Sequence, residues 1–263
     1  MIFIENRNGI KWSREETILA FELYCRTPFS KITQSNRDII ELAKILGRTP
    51  GSVGLKMHNL AHYDPKLQAR NVTAMAHGSK QDALIFNEFT NNWTELSYQA
   101  QTIKAKMSNL SIEETIDIED YDIIPPGEYR EQIMKTRVGQ YFFRMSVLNS
   151  YNNRCCVTGL EKQELLVASH IKPWKVSNEQ TERTNPSNGL CLNSLHDKAF
   201  DRGLITVDND YKIIISNKLK DADMDQDTRD WFMSYDKKKI SLPDKFLPGK
   251  QFLEYHNDLI FLG

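Results

Sequence analysis

The chain has 263 residues, 40% of them hydrophobic and 26% charged, enough to bury at least one sizeable core and to form two domains. No stretch approaches the roughly 18 uninterrupted apolar residues of a membrane span, the opening MIFIENRNGIKW is too short and polar for a secretory signal, and Cys25, Cys155, Cys156 and Cys191 are oddly placed for a disulfide framework, so a cytoplasmic chain with no membrane partner is expected. A net charge of −1 excludes wholesale attraction to nucleic acid; any such attraction must come from a local basic surface, masked in the total by six acids and no base between Glu113 and Asp122.

Residues 12–63 read as three short helices. Ser13 with Glu16 forms a capping box ahead of Ile18, Leu19 and Leu23, and Ser35 caps a helix bearing Ile39, Leu42, Ala43 and Leu46 that Gly47 closes. Thr49 and Pro50 start the third, with Val53, Met57 and Leu60 inward. The tight GRTP turn makes the last two helices resemble a helix-turn-helix, which would turn Ser52, Lys56 and Asn59 outward with Arg48 at its start, toward phosphates and base edges. His58 and His62 sit four apart but lack the glutamate of a zinc helix and read as ordinary surface or packing residues.

Further helix is predicted over 79–107. Ser79 caps it, a break falls near Asn91 and Asn92, and Trp93, Leu96, Ala100, Ile103 and Met107 form one buried stripe. Pro125, Pro126 and Gly127, with the acidic run, mark a domain boundary, giving a helical domain over 1–110, an acidic linker over 111–128 and a second domain over 129–263. A helix from Glu128 to Tyr151 opens that domain, with Gln140, Phe143, Val147 and Tyr151 on one side and Arg137 and Arg144 able to touch a DNA backbone.

From Cys155 to Leu204 the chain gathers residues suited to chemistry. Leu165, Leu166 and Val167 form a strand that delivers His170 from its end, and Pro173 stops it. Lys175 to Ser187 is a polar, exposed loop; Asn188 and Gly189 open a second strand over Leu190 to Leu192. Ser194 as N-cap and Gly203 as stop frame a helix of about two turns. On it Leu195, Ala199 and Phe200 face the strands, while Asp197 and Asp201 share another face. Adjacent Cys155 and Cys156 with isolated Cys191 lack a CxxC clamp, so buried thiols are expected and a structural zinc is not. Beyond, Leu204 to Val207 and Tyr211 to Ser216 form a hairpin around Asp208, Asn209 and Asp210; an irregular segment and a final packed element follow, with His256 a packing residue.

The ASHIKPW string, an NGL turn eighteen residues on from His170, and LHDKAFDRGLIT together resemble the HNH nucleases of the ββα-metal fold, in particular the group described as predicted restriction endonucleases, over roughly residues 137–216. The resemblance implies a C-terminal ββα-metal HNH domain, which with the helical, helix-turn-helix-like N-terminal domain read above makes an α+β protein. It implies His170 as general base, Asn188 as the amide that holds the loop and base, and Asp197, nine residues beyond, as metal ligand. Many such nucleases carry Asp or His before the base where this chain has Ser169, so Ser169, His196 or Asp201 completes the metal shell; His196 fills the third-histidine place by eye, whereas the nine-residue offset lands on Asp197.

Physical chemistry agrees with that assignment. Histidine titrates near neutral pH and suits deprotonation of water, and a carboxylate suits Mg²⁺, with Mn²⁺ as substitute. The resemblance further implies a double-stranded DNA endonuclease of restriction or anti-phage type that leaves 5′-phosphates, with modification dependence open; a homodimer is expected if both strands are cut. The alternatives are a DNA-binding regulator on an inactive HNH fold and an RNA-directed nuclease.

Overall fold

The computed structural model describes residues 6–64, 78–116 and 129–263. Contacts divide the chain into two units, Met1–Ser146 with Glu179–Thr184 and Val147–Asn178 with Asn185–Gly263. Most of the expected linker, residues 117–128 with Pro125, Pro126 and Gly127, lies outside the described residues.

The first unit is helical: α1 (Arg14–Arg26), α2 (Arg37–Leu46), α3 (Pro50–Ala61), α4 (Lys80–Phe89), α5 (Trp93–Ser108), α6 (Ile112–Thr115) and most of α7 (Arg130–Ser150). Helix α1 is its axle. The Ser13–Glu16 capping box starts it, every residue from Glu16 to Cys25 is buried, and α2 to α5 pack around it. Thr49 caps α3 and Ser79 with Asp82 boxes α4, both as the sequence implies; α2 is capped by Asn36 and not by Ser35, its Oδ1 accepting from the N–H groups of Asp38 and Ile39. The break before Trp93 is present, and Trp93, Leu96 and Ala100 are buried, but Met107 is exposed and Ala105 takes its place inside.

The outward face expected of α3 is corrected. Arg48 and Lys56 are each only 7% exposed. The Arg48 guanidinium donates to Glu16 at 2.9 and 3.1 Å and to the carbonyls of Arg7 and Ile10, with its Cζ 4.4 Å from the Trp12 ring. Lys56 Nζ meets Asp82 at 2.7 Å. Both cations are needed because Glu16 and Asp82 serve as capping carboxylates beneath packed helices, and a buried carboxylate demands a paired charge. Ser52 and Asn59 are half-buried. His58 bonds the Gly54 carbonyl at 2.8 Å and packs edge-on against Phe29.

Helix α7 carries Arg137 and Arg144 on its exposed side; Phe143 and Val147 are buried as expected, but Gln140 is exposed. Six residues of the loop expected to be exposed, Glu179–Thr184, belong to the helical unit: the Thr94 and Thr184 hydroxyls lie 2.8 Å apart, and Thr184 is 1% exposed. A Cβ on Gly139 would come within 2.8 Å of Thr184, so this approach requires glycine.

The second unit holds two antiparallel two-stranded sheets, β1 (Leu166–His170) with β2 (Gly189–Asn193) and β3 (Ile205–Val207) with β4 (Ile213–Ile215), and helices α8 (Ser194–Asp201), α9 (Asn217–Lys220), α10 (Gln226–Met233) and α11 (Lys250–Leu259). The β3–β4 hairpin turns as predicted, the Asp208 carboxylate accepting from the N–H groups of Asp210 and Lys212. No helix among the described residues is long and apolar enough to cross a membrane.

Candidate functional site

Strand β1 pairs with β2 so that Ser169 lies opposite Leu190 and His170 opposite Gly189. Every residue of β2 is buried, which fixes this small sheet despite its two strands. The turn over Cys155 and Cys156 extends it, the Cys156 N–H donating to the Cys191 carbonyl at 2.8 Å and the Asn193 N–H to Cys155 Sγ at 3.3 Å. All four cysteines are buried and unbridged, and burial pushes the Cys156 thiol pKa well up.

Helix α8 closes the unit onto β1 and β2. Its cap is Asn193, not Ser194: Asn193 Oδ1 accepts from the N–H groups of Leu195 and His196 at 3.1 and 2.9 Å. At the other end Gly203 has φ +68°, its N–H donating to the Phe200 carbonyl and that of Leu204 to the Ala199 carbonyl, so the predicted glycine stop is a Schellman motif. Ala199 and Phe200 are inward as expected, but the first-turn residue beside them differs. Leu195 is 53% exposed, and His196, with Ala199 and Phe200, is inside.

His196 therefore does not join the other candidates in an open site. Its ring is boxed by Trp231 at 4.7 Å, Tyr235 at 5.4 Å and Phe232 at 5.8 Å, and it is 1% exposed. Burial pushes its pKa down to about 4. Its Nδ1 lies 3.2 Å from Asn193 Oδ1, an acceptor, so the neutral ring carries its proton there. An imidazole so enclosed is a structural element of the fold.

Asp197 emerges on the neighbouring face, half-buried. Burial raises its carboxyl pKa, opposed by the Ser169 hydroxyl and by Lys198. Asp201, one turn on, is raised by burial and then by the Asp197 charge. Ser169 Oγ is fully buried and has no hydrogen-bond partner at ordinary distance, although it is near enough to Asp197 to influence its proton. The fold thus brings Ser169, Asp197 and Asp201 together. Two carboxylates at i and i+4 repel, and the second stands at the unfavourable end of the helix dipole. A divalent cation relieves each of these tensions, so the donor set fits a hard metal ion. Among the described residues no three His, Cys, Asp or Glu side chains converge; such an ion would take most of its shell from water and phosphate, the habit of Mg²⁺.

His170 follows Ser169 at the strand end, half-buried, its ring edge-on to Trp174 at 5.6 Å. Asn188, completely buried, clamps the intervening loop: its Oδ1 accepts from the Lys172 N–H at 2.8 Å, and its Nδ2 donates to the Lys172 carbonyl at 3.1 Å and to Ser177 Oγ at 3.3 Å. Ser177 in turn donates toward the carbonyls of Lys172 and Pro173, both at 3.0 Å.

Sequence reasoning missed Ser177, Asn193 and the aromatic box. It also missed a latch from α11: His256 Nε2 donates to the Phe200 carbonyl at 3.1 Å, its Nδ1 lies 2.8 Å from Thr206 Oγ1, and its ring stacks on Phe200 at 3.7 Å. The expectation of a packing role for His256 is met. Two adjacent capping residues, Asn193 and Ser194, were the available signal for the helix start.

Residues 155–208 match the sequence model of the family described as HNH endonuclease. Among curated proteins no relative matches the chain. A solved structure titled "Modification dependent TagI restriction endonuclease" aligns with 16% identity and a TM-score of 0.32 over 45% of this chain and 37% of that one, so the chain spans little more than a third of its length. The strand that ends in His170, the turn that ends in Asn188, the strand after it and the helix that carries Asp197 all lie within residues 155–208, the stretch of family similarity, and the chain contains an HNH endonuclease domain there.

Proposed function

We propose that the chain hydrolyses phosphodiester bonds of double-stranded DNA with His170 as general base and a divalent cation held by Asp197, assisted by Ser169 and Asp201. The observation that supports this reading best is the meeting of the buried Ser169 hydroxyl with the Asp197 carboxylate it influences and with Asp201, which Asp197 repels, one residue along the strand from a histidine. His170 takes a proton from the attacking water. Asn188 holds the loop that carries Trp174 against the imidazole, acting on the base through the backbone of Lys172. When bound, the cation supplies positive charge to the phosphate and to the departing oxygen. Mg²⁺ is the proposed ion and Mn²⁺ its substitute.

A restriction or anti-phage role, acting as a homodimer where both strands are cut, completes the proposal. Arg137 and Arg144, exposed on α7, are its proposed backbone contacts; Arg48 and Lys56 are withdrawn by their burial. The test is to incubate plasmid with either metal and to compare His170→Ala, then to digest modified and unmodified phage genomes and map the ends. Cutting that persists in His170→Ala contradicts the reading. Tight binding without nicking in either metal favours the regulator, a reading that the neutral Ser169 supports.

A further inference from the structure

A chain of net charge −1 that acts on DNA needs a local basic surface, and the second unit contains one outside the site just described. After α10 the segment from Lys237 to Ile240 runs back along β4 as an added edge. The Ile213 N–H donates to the Lys238 carbonyl at 2.9 Å, that of Lys237 to the Ile213 carbonyl at 2.7 Å, and that of Ile240 to the Tyr211 carbonyl at 2.9 Å. Lys212 and Lys239 form an antiparallel bridge and so stand directly opposite one another. Lys237, Lys238 and Lys239 are all exposed, and Lys237 is held at φ +61°.

Like charges placed opposite on paired strands destabilise them, and a left-handed lysine adds backbone strain. The local acids do little to relieve this. Asp210 reaches Lys212 only at 3.9 Å, while Asp236 is engaged by Lys220 at 3.1 Å and by the Ile215 N–H. Fold stability therefore gives no account of this lysine edge, whereas a polyanion does.

Its position favours DNA phosphates as that polyanion. Lys238 Nζ lies 5.9 Å from the Tyr235 ring, and Tyr235 packs at 5.4 Å on His196, the residue before Asp197. The lysine edge thus packs, through Tyr235, against the helix that carries the carboxylate proposed to hold the cation. We propose that Lys212, Lys237, Lys238 and Lys239 form a docking edge for the DNA backbone on the unit that carries the proposed site. This rests on reading the chain as a DNA nuclease.

The test uses the full chain carrying His170→Ala, titrated with a duplex of arbitrary sequence over a series of salt concentrations. Adding Lys237→Ala, Lys238→Ala and Lys239→Ala together should reduce the slope of log affinity against log salt by about 2 to 3 and weaken binding by about tenfold or more at physiological salt, uniformly across sequences. With His170 intact, the loss should appear in KM more than in kcat. Lys239→Ala alone should melt no lower than the parent chain, because it removes the opposition to Lys212. An unchanged salt slope in the triple variant overturns the proposal, as does a loss confined to structured RNA. A slope that falls in a protein unable to cut DNA in either metal leaves the edge standing and removes the nuclease reading; normal cutting with an unchanged slope does the reverse.

Discussion

The carboxamide of Asn188 and the backbone of Lys172 form a reciprocal pair of hydrogen bonds, N–H to Oδ1 at 2.8 Å and Nδ2 to C=O at 3.1 Å, across sixteen residues of sequence. The loop thereby fixed begins at His170 and returns Trp174 to its ring. Asn188→Ala takes the carboxamide from the Lys172 N–H, at roughly 1–3 kcal/mol for a group left unsatisfied, whereas the Lys172 carbonyl still accepts from Ser177 Oγ at 3.0 Å. A lower melting temperature is expected, with a loss of kcat measured while the variant is still folded. Trp174→Ala should lower kcat as well, and adding it to Asn188→Ala should do little more, because both act on one loop; independent, additive losses would count against that coupling.

Replacing His170 by alanine should slow cleavage by roughly 10²- to 10⁴-fold, the usual contribution of a positioned general base. DNA affinity should change little. Single-turnover cleavage alongside equilibrium binding separates the two effects.

Asp201→Asn removes the i,i+4 repulsion from Asp197 and the unfavourable charge at the helix end. Without divalent cation the variant should therefore be slightly more stable, by about 0.5 kcal/mol, and should need more Mn²⁺ to reach a given thermal shift. Asp197→Asn should lose the Mn²⁺-dependent shift altogether. A shift of wild-type size in Asp197→Asn would place the metal elsewhere.

Acid should weaken the second unit through two histidines. His196 and His256 have pKa values held near 4 by burial, against about 6.5 in the unfolded chain. Between those values the unfolded state binds more protons, so their stabilising effect is complete above about pH 7 and is lost as pH falls toward 4. The loss is about 3 kcal/mol at most for each. Urea denaturation at neutral and mildly acidic pH checks it, and His256→Gln should flatten the dependence.

Arg48→Ala leaves Glu16 in the core with only Arg7, at 3.2 Å, and the Ser13 N–H as partners, and should destabilise the helical unit by about 3 kcal/mol, the low end for a broken buried pair. Lys substitution should rescue it only in part, since one ammonium cannot reproduce the forked contacts to Glu16 and the two carbonyls. Chemical denaturation of the three proteins measures this.

Much of the site was legible because its signals are local. Strand, turn and helix were marked by Pro173, Asn188–Gly189 and Gly203, and local chemistry decides such punctuation. What was not legible depends on partners distant in sequence. Whether Asn193 or Ser194 caps α8 is settled by the Cys155 thiol and the Thr158 hydroxyl that hold Asn193, and His196 is inside because Trp231, Phe232 and Tyr235, 35 or more residues on, pack against it. Arg48 and Lys56 looked like surface cations because nothing in a sequence shows that Glu16 and Asp82 would be buried beneath them. The excursion of Glu179–Thr184 into the helical unit rests on Thr94, 90 residues before Thr184.

The latch from α11 sets an order of events. His256 grips the last turn of α8 from 56 residues downstream, so a ribosome must finish α10 and α11 before the acidic helix is secured. A nascent polypeptide that already holds Ser169, His170, Asn188, Asp197 and Asp201 would still lack this final brace.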